Sequence, residues 1–349
     1  MSAKTVKKRK RKPKKKSRGL TPVVVAAVLL GMAGVLWLLG VQPYLGHETW
    51  IRIPRGSSAE AIRDSMRSGL GSSMGNRVYM LWRMQGGDAE STHGAYRMER
   101  GTLALVMSHR IARGMQTPVN ASFNNARTLG QMAGKLTRQL DCSGEELVEG
   151  AVKMLADSGF TREQVPAVFI PDKYEFYWDA TPEAITSRML RTYRRFWNGE
   201  RTAKVRELGI TPIEAVTIAS IVEEETGKRD ERPKVARLYL NRLHRGMKLQ
   251  ADPTVKFATG DFSLRRITGA HLSVESPYNT YRVAGLPPGP IRMPEAATVD
   301  AVLDAPEHPY IYMCAREDFS GYHNFATDYA THMANARRYQ AELNRRGIK

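Results

Sequence analysis

The sequence predicts an α+β protein with an N-terminal apolar helix, a small α/β subdomain and a larger domain that mixes helices with short strands. Residues 23–41 carry no charge and consist mainly of Val, Leu and Ala. Short alternating and helical patterns follow one another from about residue 48 to about residue 114. After residue 117, apolar residues recur with the helical period between Pro-, Gly- and aromatic-rich segments. At 349 residues, the chain is long enough for such domains to have their own cores.

The N-terminal region predicts a membrane anchor. Eleven of the basic residues behind the net charge of +18 lie between positions 4 and 18, which leaves 18 − 11 = 7 for the rest of the chain. The 19 uncharged residues 23–41 would span a hydrocarbon core of about 30 Å as a helix. Flanking basic residues keep their side in the cytoplasm. We therefore predict a basic cytoplasmic tail (1–20), a single transmembrane helix (21–42) in the inner membrane, and a periplasmic or extracytoplasmic remainder.

Two other interpretations of this region are less consistent with the sequence. A cleaved signal peptide has a similar layout, but this apolar run is longer than usual and the VQPYLGH segment is a poor cleavage site. Nucleic-acid binding would rest on the basic tail alone, and a topology signal with contact to anionic lipid headgroups is the preferred interpretation of that tail. We predict no nucleic-acid partner.

Residues 46–116 predict a small subdomain of strands and helices. A helix with the apolar stripe Ala59, Ile62 and Met66 begins after serines that can cap it. Residues 94–114 predict a strand, a turn, and then either a strand or a helix. This layout suits a carbohydrate-binding module of LysM type, although a structural spacer explains it nearly as well.

The larger domain, residues 117–349, begins with helical patterns at 128–140 and 144–159. The segment 169–185 interrupts them with a dense group of aromatic residues, which would either fill the core or present a platform for sugar faces. Residues 231–247 predict an amphipathic helix that ends near Gly246. Arg242 lies within its apolar stripe, which predicts a specific partner for this side chain.

Cysteine and histidine patterns give no support for a metal site. Cys142 and Cys314 lie 172 positions apart, and the sequence leaves both a disulfide and two separate thiols open. No CxxC or HExxH pattern occurs. Structural hydrogen bonding is the preferred interpretation of His323 and His332, so we predict no metal and no organic cofactor.

Three consecutive glutamates, Glu223, Glu224 and Glu225, end the helix predicted over residues 213–226. At 100° per residue, Glu225 lies near an apolar face, Glu223 lies to its side and Glu224 points away. The apolar face consists of Ala215, Ile218, Ala219 and Val222. A carboxyl at such an apolar edge, with like charges nearby, should have a raised pKa, as a general acid requires. The alternative is a solvated helix end.

A second carboxylate is normally needed to hydrolyse a glycosidic bond. Asp252 is the main candidate, in the predicted loop LQADPT at 249–254, and Glu275 is another.

The C-terminal third resembles the MltG (YceG-like) endolytic murein transglycosylases. The resemblance is carried by motifs in the family's order: ASIVEEE at 219–225, NRL at 241–243, GM at 246–247, LQ at 249–250, DPT at 252–254, YNTY at 278–281, GLPPGPI at 285–291, and Gly321, His323, Phe325, Tyr329 and His332. It is tight over these residues and loose over the anchor and the LysM-like region. Glu224 stands where the family commonly has Lys, and Met333 where it usually has Asn.

The resemblance implies that Glu225 is the catalytic residue. It also implies that six further residues orient this acid or bind the sugar: Glu223, Gln250, Asp252, Thr254, Tyr278 and Asn279. A lytic transglycosylase needs only one acid, which protonates the glycosidic oxygen and then takes the proton of the sugar's own 6-hydroxyl. Glu224 would add a negative charge that raises the pKa of Glu225 further.

The sequence as a whole therefore predicts a membrane-anchored lytic transglycosylase. By resemblance, it would cleave MurNAc–GlcNAc bonds inside nascent peptidoglycan strands, leave 1,6-anhydroMurNAc ends, and terminate strand elongation beside membrane-bound synthases. The alternatives are a muramidase that uses water, with Asp252 as base, and a non-catalytic glycan-binding scaffold.

Overall fold

The computed structural model describes residues 21–264 and 266–347, without the side chains of residue 21 and residues 36–39. The chain divides into two compact units, Met1–Gln116 and Thr117–Lys349. The predicted basic tail lies outside the described residues. Thr21–Gly40 forms helix α1. Over the described residues, no helix combines the length and the apolar character needed to cross a membrane.

The first unit is a two-stranded antiparallel sheet packed with helices. In chain order, its elements after α1 are β1 (Thr49–Ile53), α2 (Ala59–Leu70), α3 (Ser72–Met84), β2 (Gly94–Met98) and α4 (Ala104–Ala112). The predicted cap is present, since the Ser58 hydroxyl accepts from the amide of Ala61 at 3.2 Å. Ile62 and Met66 from α2 are fully buried with Trp82 and Tyr96. The segment after the turn at Gly101 is a helix rather than a strand.

The second unit mixes helices with two short, two-stranded antiparallel sheets. Its elements are β3 (Val119–Phe123), α5 (Leu129–Leu136), α6 (Gly144–Ala156), β4 (Asp172–Phe176), α7 (Pro182–Phe196), α8 (Gly199–Glu207), α9 (Pro212–Glu225), α10 (Arg232–His244), α11 (Asp252–Thr259), α12 (Gly269–Leu272), α13 (Ala296–Leu303), β5 (Tyr312–Ala315), β6 (His323–Ala326) and α14 (Tyr329–Arg345). Strand β3 pairs with β4, and β5 pairs with β6. The predicted α+β class is confirmed.

Helix α9 lies at the centre of this unit. Thr211 and Glu214 form a reciprocal capping box, and Pro212 occupies the first turn, so the helix begins where its sequence favours a beginning. Every residue from 215 to 223 is buried, against α10, α11 and α13 among other elements. A helix that is apolar all round belongs in a core. The alternative of a solvated helix end is therefore wrong.

The aromatic-rich segment 169–185 mainly fills the core. Phe169, Tyr174, Phe176 and Trp178 are each at most 8% exposed, and Tyr177, at 53%, is the exception. The sugar platform that the sequence left open is therefore not formed by these four rings.

The GLPPGPI segment docks closely on the rest of the unit. A Cβ at Gly289 would lie 1.9 Å from the carbonyl oxygen of Glu163, so only glycine fits there. The amide of Ile291 donates to the Ser220 hydroxyl of α9 at 3.0 Å. Cys142 and Cys314 are not joined by a disulfide.

Candidate active site

Glu225, the last residue of α9, faces a cavity of about 470 Å³. The cavity is also lined by residues from α10, from the segment 249–252, and from β5, β6 and α14. The phenol of Tyr239, on α10, donates a hydrogen bond of 2.9 Å to Oε1 of Glu225. This bond fixes one carboxylate oxygen of Glu225.

Burial raises the pKa of Glu225 from 4.5 to about 7. The hydrogen bond from Tyr239 opposes this rise, whereas the negative charge of Asp252 adds to it. Part of the residue remains exposed to the cavity, so a substrate can reach a carboxyl that is otherwise surrounded by protein. A carboxyl that is substantially protonated near neutral pH can act as a general acid. The raised pKa that the sequence predicts for Glu225 is thus present, and its role as the acid stays a prediction.

The other two glutamates are held in a buried ionic network, defined here as Glu223, Glu224, Arg127, Arg232 and Arg292. Arg292 bridges both acids, at 3.0 Å to Glu223 and 2.8 Å to Glu224. Arg127 binds both carboxylate oxygens of Glu224, at 3.0 and 2.9 Å. Arg232 lies 3.6 Å from Glu223. The network keeps two negative charges compensated beside the acid.

This network corrects the expectation for Glu224. Its charge was expected to raise the pKa of Glu225, but two guanidinium groups neutralise it, and Asp252 is the carboxylate that acts on Glu225. The structure also separates Glu223 from the cavity. Its side chain is 4% exposed and accepts from Thr298 and from the amide of Glu295.

Two of the predicted sugar-binding residues do reach the cavity. Gln250 and Asp252 line it beside Glu225. Gln250 has a left-handed backbone, with φ at 52°, and its side-chain oxygen accepts from Arg242, which explains the cation within the apolar stripe of α10. Asp252 was expected in a loop but begins α11, where the proline that follows it suits the first turn. Tyr281 donates to Asp252 at 2.6 Å.

The remaining three predicted residues lie elsewhere. Thr254 and Asn279 are fully buried. The Thr254 hydroxyl donates to the carbonyl of Ala251, and the Asn279 amide donates to the carbonyls of Leu272 and Val274, so both side chains brace the segments that carry Asp252 and Tyr281. Tyr278 lines a different and larger groove.

Sequence reasoning missed several residues of the cavity, above all Tyr239. In the sequence, Tyr239 falls on the apolar face of the helix predicted over residues 231–247, and a phenol in such a position needs a polar partner when it is buried. Tyr281 was matched to a family motif without a role, and His323 was predicted to make structural hydrogen bonds. His323 Nδ1 lies 2.8 Å from Glu231, which also accepts from the hydroxyl of Thr226, the residue after the acid. Across the described residues, no group of three or more His, Cys, Asp or Glu is placed to hold a metal ion.

We expect Tyr239→Phe to move the alkaline limb of the pH–activity profile to higher pH. Glu225 must be protonated to act as an acid, so activity should fall as pH rises through about 7. The lost hydrogen bond stabilised the carboxylate, so its loss should raise the pKa of Glu225 by about one unit. Initial reaction rates of the wild type and of Tyr239→Phe, measured from pH 5 to pH 9, would give the shift of the alkaline limb.

Tyr322→Phe is the matched control for this experiment. It removes a tyrosine hydroxyl that donates to Asp230, another carboxylate, away from the cavity. An unshifted profile in Tyr239→Phe, or an equal shift in the control, would contradict the role assigned to Tyr239.

The fold and the site define a class of protein: an α+β unit with one desolvated carboxyl in an open polar cavity. Such a site suits general acid catalysis. The chain belongs to the YceG-like family, whose model matches residues 51–338. The resemblance found in the sequence is thereby confirmed.

Individual relatives agree with this family. An endolytic murein transglycosylase of Bacillus subtilis (strain 168) is 39% identical over 103 residues, which cover 30% of this chain and 28% of that protein. One of Streptococcus pneumoniae serotype 2 is 26% identical over 210 residues, covering 54% and 38%. The matched regions thus span less than half the length of either relative. A putative yceG-like protein of Listeria monocytogenes has the same fold, with a TM-score of 0.53 and 22% identity over 82% of this chain and 98% of that one.

Proposed function

We propose that this protein is a lytic transglycosylase that cleaves MurNAc–GlcNAc bonds inside nascent peptidoglycan strands and leaves 1,6-anhydroMurNAc ends. The observation that carries the proposal is the placement of Glu225, partly exposed in an open cavity and with a pKa raised to about 7 by burial. The two relatives, both endolytic murein transglycosylases, support the same reaction class. Cleavage of this kind would terminate strand elongation, beside synthases in the same membrane.

A single carboxyl can carry both proton transfers of this reaction. The protonated oxygen of Glu225 gives its proton to the glycosidic oxygen as the bond to C1 of the sugar breaks. The resulting carboxylate then takes the proton of the 6-hydroxyl, whose oxygen bonds to C1 and closes the anhydro ring. Asp252, in the same cavity, would stabilise the positive charge that develops on the ring.

The presence of Asp252 also favours one alternative, a muramidase that uses water. In that mechanism, Asp252 would activate a water molecule, and Glu225 would remain the acid. However, one carboxylate oxygen of Asp252 already accepts a hydrogen bond from Tyr281, which leaves only the other oxygen free to position a water molecule. The transglycosylase mechanism needs no second base, so we prefer it.

Mass spectrometry of peptidoglycan digested by the full chain tests the proposal. The wild type is expected to release internal fragments with 1,6-anhydroMurNAc ends. The Asp252→Asn variant should release the same fragments at a reduced rate, and the Glu225→Gln variant should release none. Reducing ends that disappear in Asp252→Asn would establish the muramidase instead. A wild type that binds glycan without cleaving it would favour the scaffold.

We also propose a membrane anchor and a glycan-binding role for the first unit. The anchor is supported by the uncharged residues 23–41 and the basic residues before them, and it would place the second unit outside the inner membrane. The order β1–α2–α3–β2 supports a LysM-like glycan-binding role for the first unit. Flotation of the full chain with vesicles that contain anionic lipid, compared with a chain that begins at residue 46, tests the anchor.

A further inference from the structure

The second unit has another groove besides the cavity of Glu225. This groove has a volume of about 990 Å³, at the upper end of the range for ligand sites. We call it the α5 groove, because the N-terminal turn of α5 forms one side. The rings of Phe257 and Tyr278 form another side, with their centroids 4.6 Å apart. No reaction step described above uses this groove.

Two glycines within α5, Gly130 and Gly134, leave bare backbone in the groove. Both are exposed, and a Cβ at either position would meet no atom within 4 Å. Their small size is therefore not needed for internal packing, although glycine in a helix is less stable than alanine by about 1 kcal/mol each. A surface without side chains allows a flat ligand to approach the backbone closely.

The charges around the groove favour a ligand that is not anionic. Glu145, Glu149 and Glu163 line it, against Arg162 and Arg127. The guanidinium of Arg127 is already bound by both carboxylate oxygens of Glu224. The three carboxylates can accept hydrogen bonds from hydroxyl or amide groups. Together with the partly exposed rings of Phe257 and Tyr278, these acceptors suit a neutral sugar unit such as GlcNAc.

The α5 groove and the cavity of Glu225 are joined by shared elements. On α11, Asp252 lines the cavity and Phe257 lines the groove, five residues or about 7.5 Å apart along the helix axis. Likewise, Tyr281 lines the cavity, whereas Tyr278 lines the groove. One extended polymer could therefore occupy both sites.

We propose that the α5 groove is a second saccharide subsite, which binds sugar residues of the same glycan strand at a distance from the bond that Glu225 cleaves. This inference rests on the proposed function. A second subsite would account for cleavage within strands, because binding of distant sugars favours long substrates over short ones. The sugar rings would stack on Phe257 and Tyr278 and lie over Gly130 and Gly134.

Gly134→Leu tests this proposal without weakening the fold. The leucine would project into the groove, and it is a better helix former than glycine, so the thermal midpoint should stay the same or rise. Gly199→Leu is the matched control, because Gly199 is another exposed helix glycine with open space at its Cβ but lies outside the groove. Both changes are made in the full chain, with and without Glu225→Gln.

The inactive Glu225→Gln chain is used to measure the affinity for a glycan tetrasaccharide and decasaccharide, and the active chain to measure their cleavage. We expect Gly134→Leu to weaken decasaccharide binding about tenfold, which is about 1.4 kcal/mol, and to lower kcat/KM for the decasaccharide but not for the tetrasaccharide. Unchanged decasaccharide affinity, or an equal loss in Gly199→Leu, would overturn the subsite and leave the proposed function intact. Loss of binding in a chain that never cleaves glycan would support the subsite and refute the proposed function.

Discussion

Glu225→Gln is expected to lower the rate of glycan cleavage by a factor of about 10² to 10⁴, the usual contribution of a general acid. The loss should fall at the upper end, because the same carboxyl performs both proton transfers. Glutamine keeps the shape of the side chain, and its oxygen can still accept a hydrogen bond from Tyr239. Its amide has no acidic proton that it could transfer to the glycosidic oxygen. Single-turnover rates on isolated glycan strands would measure the loss.

The stability of the Glu225→Gln variant shows whether a loss of activity could come from unfolding. Because burial raises the pKa of Glu225 from 4.5 to about 7, the wild type loses stability as pH rises through this window. Glutamine does not ionise, so the variant should resist denaturant at pH 8 at least as well as the wild type. Glu275→Gln removes an exposed carboxylate and should keep wild-type activity. A Glu225→Gln protein that is folded and still cleaves at the wild-type rate would contradict the assignment.

Arg292→Met is expected to lower the free energy of unfolding by about 3 to 5 kcal/mol. Arg292 is 11% exposed and bridges Glu223 and Glu224, whose side chains are 4% and 14% exposed. Without it, the two buried carboxylates keep only their contacts with Arg127, Arg232 and neighbouring donors. A charge left without its partner in a buried site is costly, whereas methionine fills a similar volume. Denaturant titration at pH 7 would measure the change.

Arg282→Met provides the comparison for an exposed ion pair. Arg282 and its partner Glu275 are 46% and 86% exposed, so their pair should contribute at most about 1 kcal/mol. Equal losses in Arg282→Met and Arg292→Met would show that the buried ionic network does not stabilise the end of α9. Adding Glu223→Gln to Arg292→Met should recover part of the loss, because the buried Glu223 then keeps only Arg232, at 3.6 Å, as an ionic partner, whereas Glu224 is still bound by Arg127.

The local elements of this protein follow largely from its sequence. Thr211, Pro212 and Glu214 specify the beginning of α9, and a run of alanine and β-branched residues gives a helix that must be buried. The position of Glu225 relative to the apolar face depends only on helical periodicity. The prediction that Glu225 is the acid therefore rests on helical periodicity and on the family motifs, and it does not need the positions of distant residues.

Residues whose roles depend on distant partners were not predictable in the same way. Glu223 and Glu224 are adjacent to Glu225 and have the same side chain, yet arginines up to 97 positions away hold them outside the cavity. Thr254, Tyr278 and Asn279 stand in the same motifs as Asp252, but only the packing of α11 and the segment 278–281 decides which of these side chains faces Glu225.

The sequence by itself determined the fold class and the central helix, and it predicts Glu225 as the acid, because periodicity, capping and family motifs are properties of short segments. Only the tertiary structure decided the proton affinity of that acid, since desolvation, the phenol of Tyr239 and the charge of Asp252 all reach Glu225 through packing. It also decided which glutamates are neutralised and where the α5 groove lies. These properties depend on distances between residues far apart in the chain, which a linear pattern does not contain.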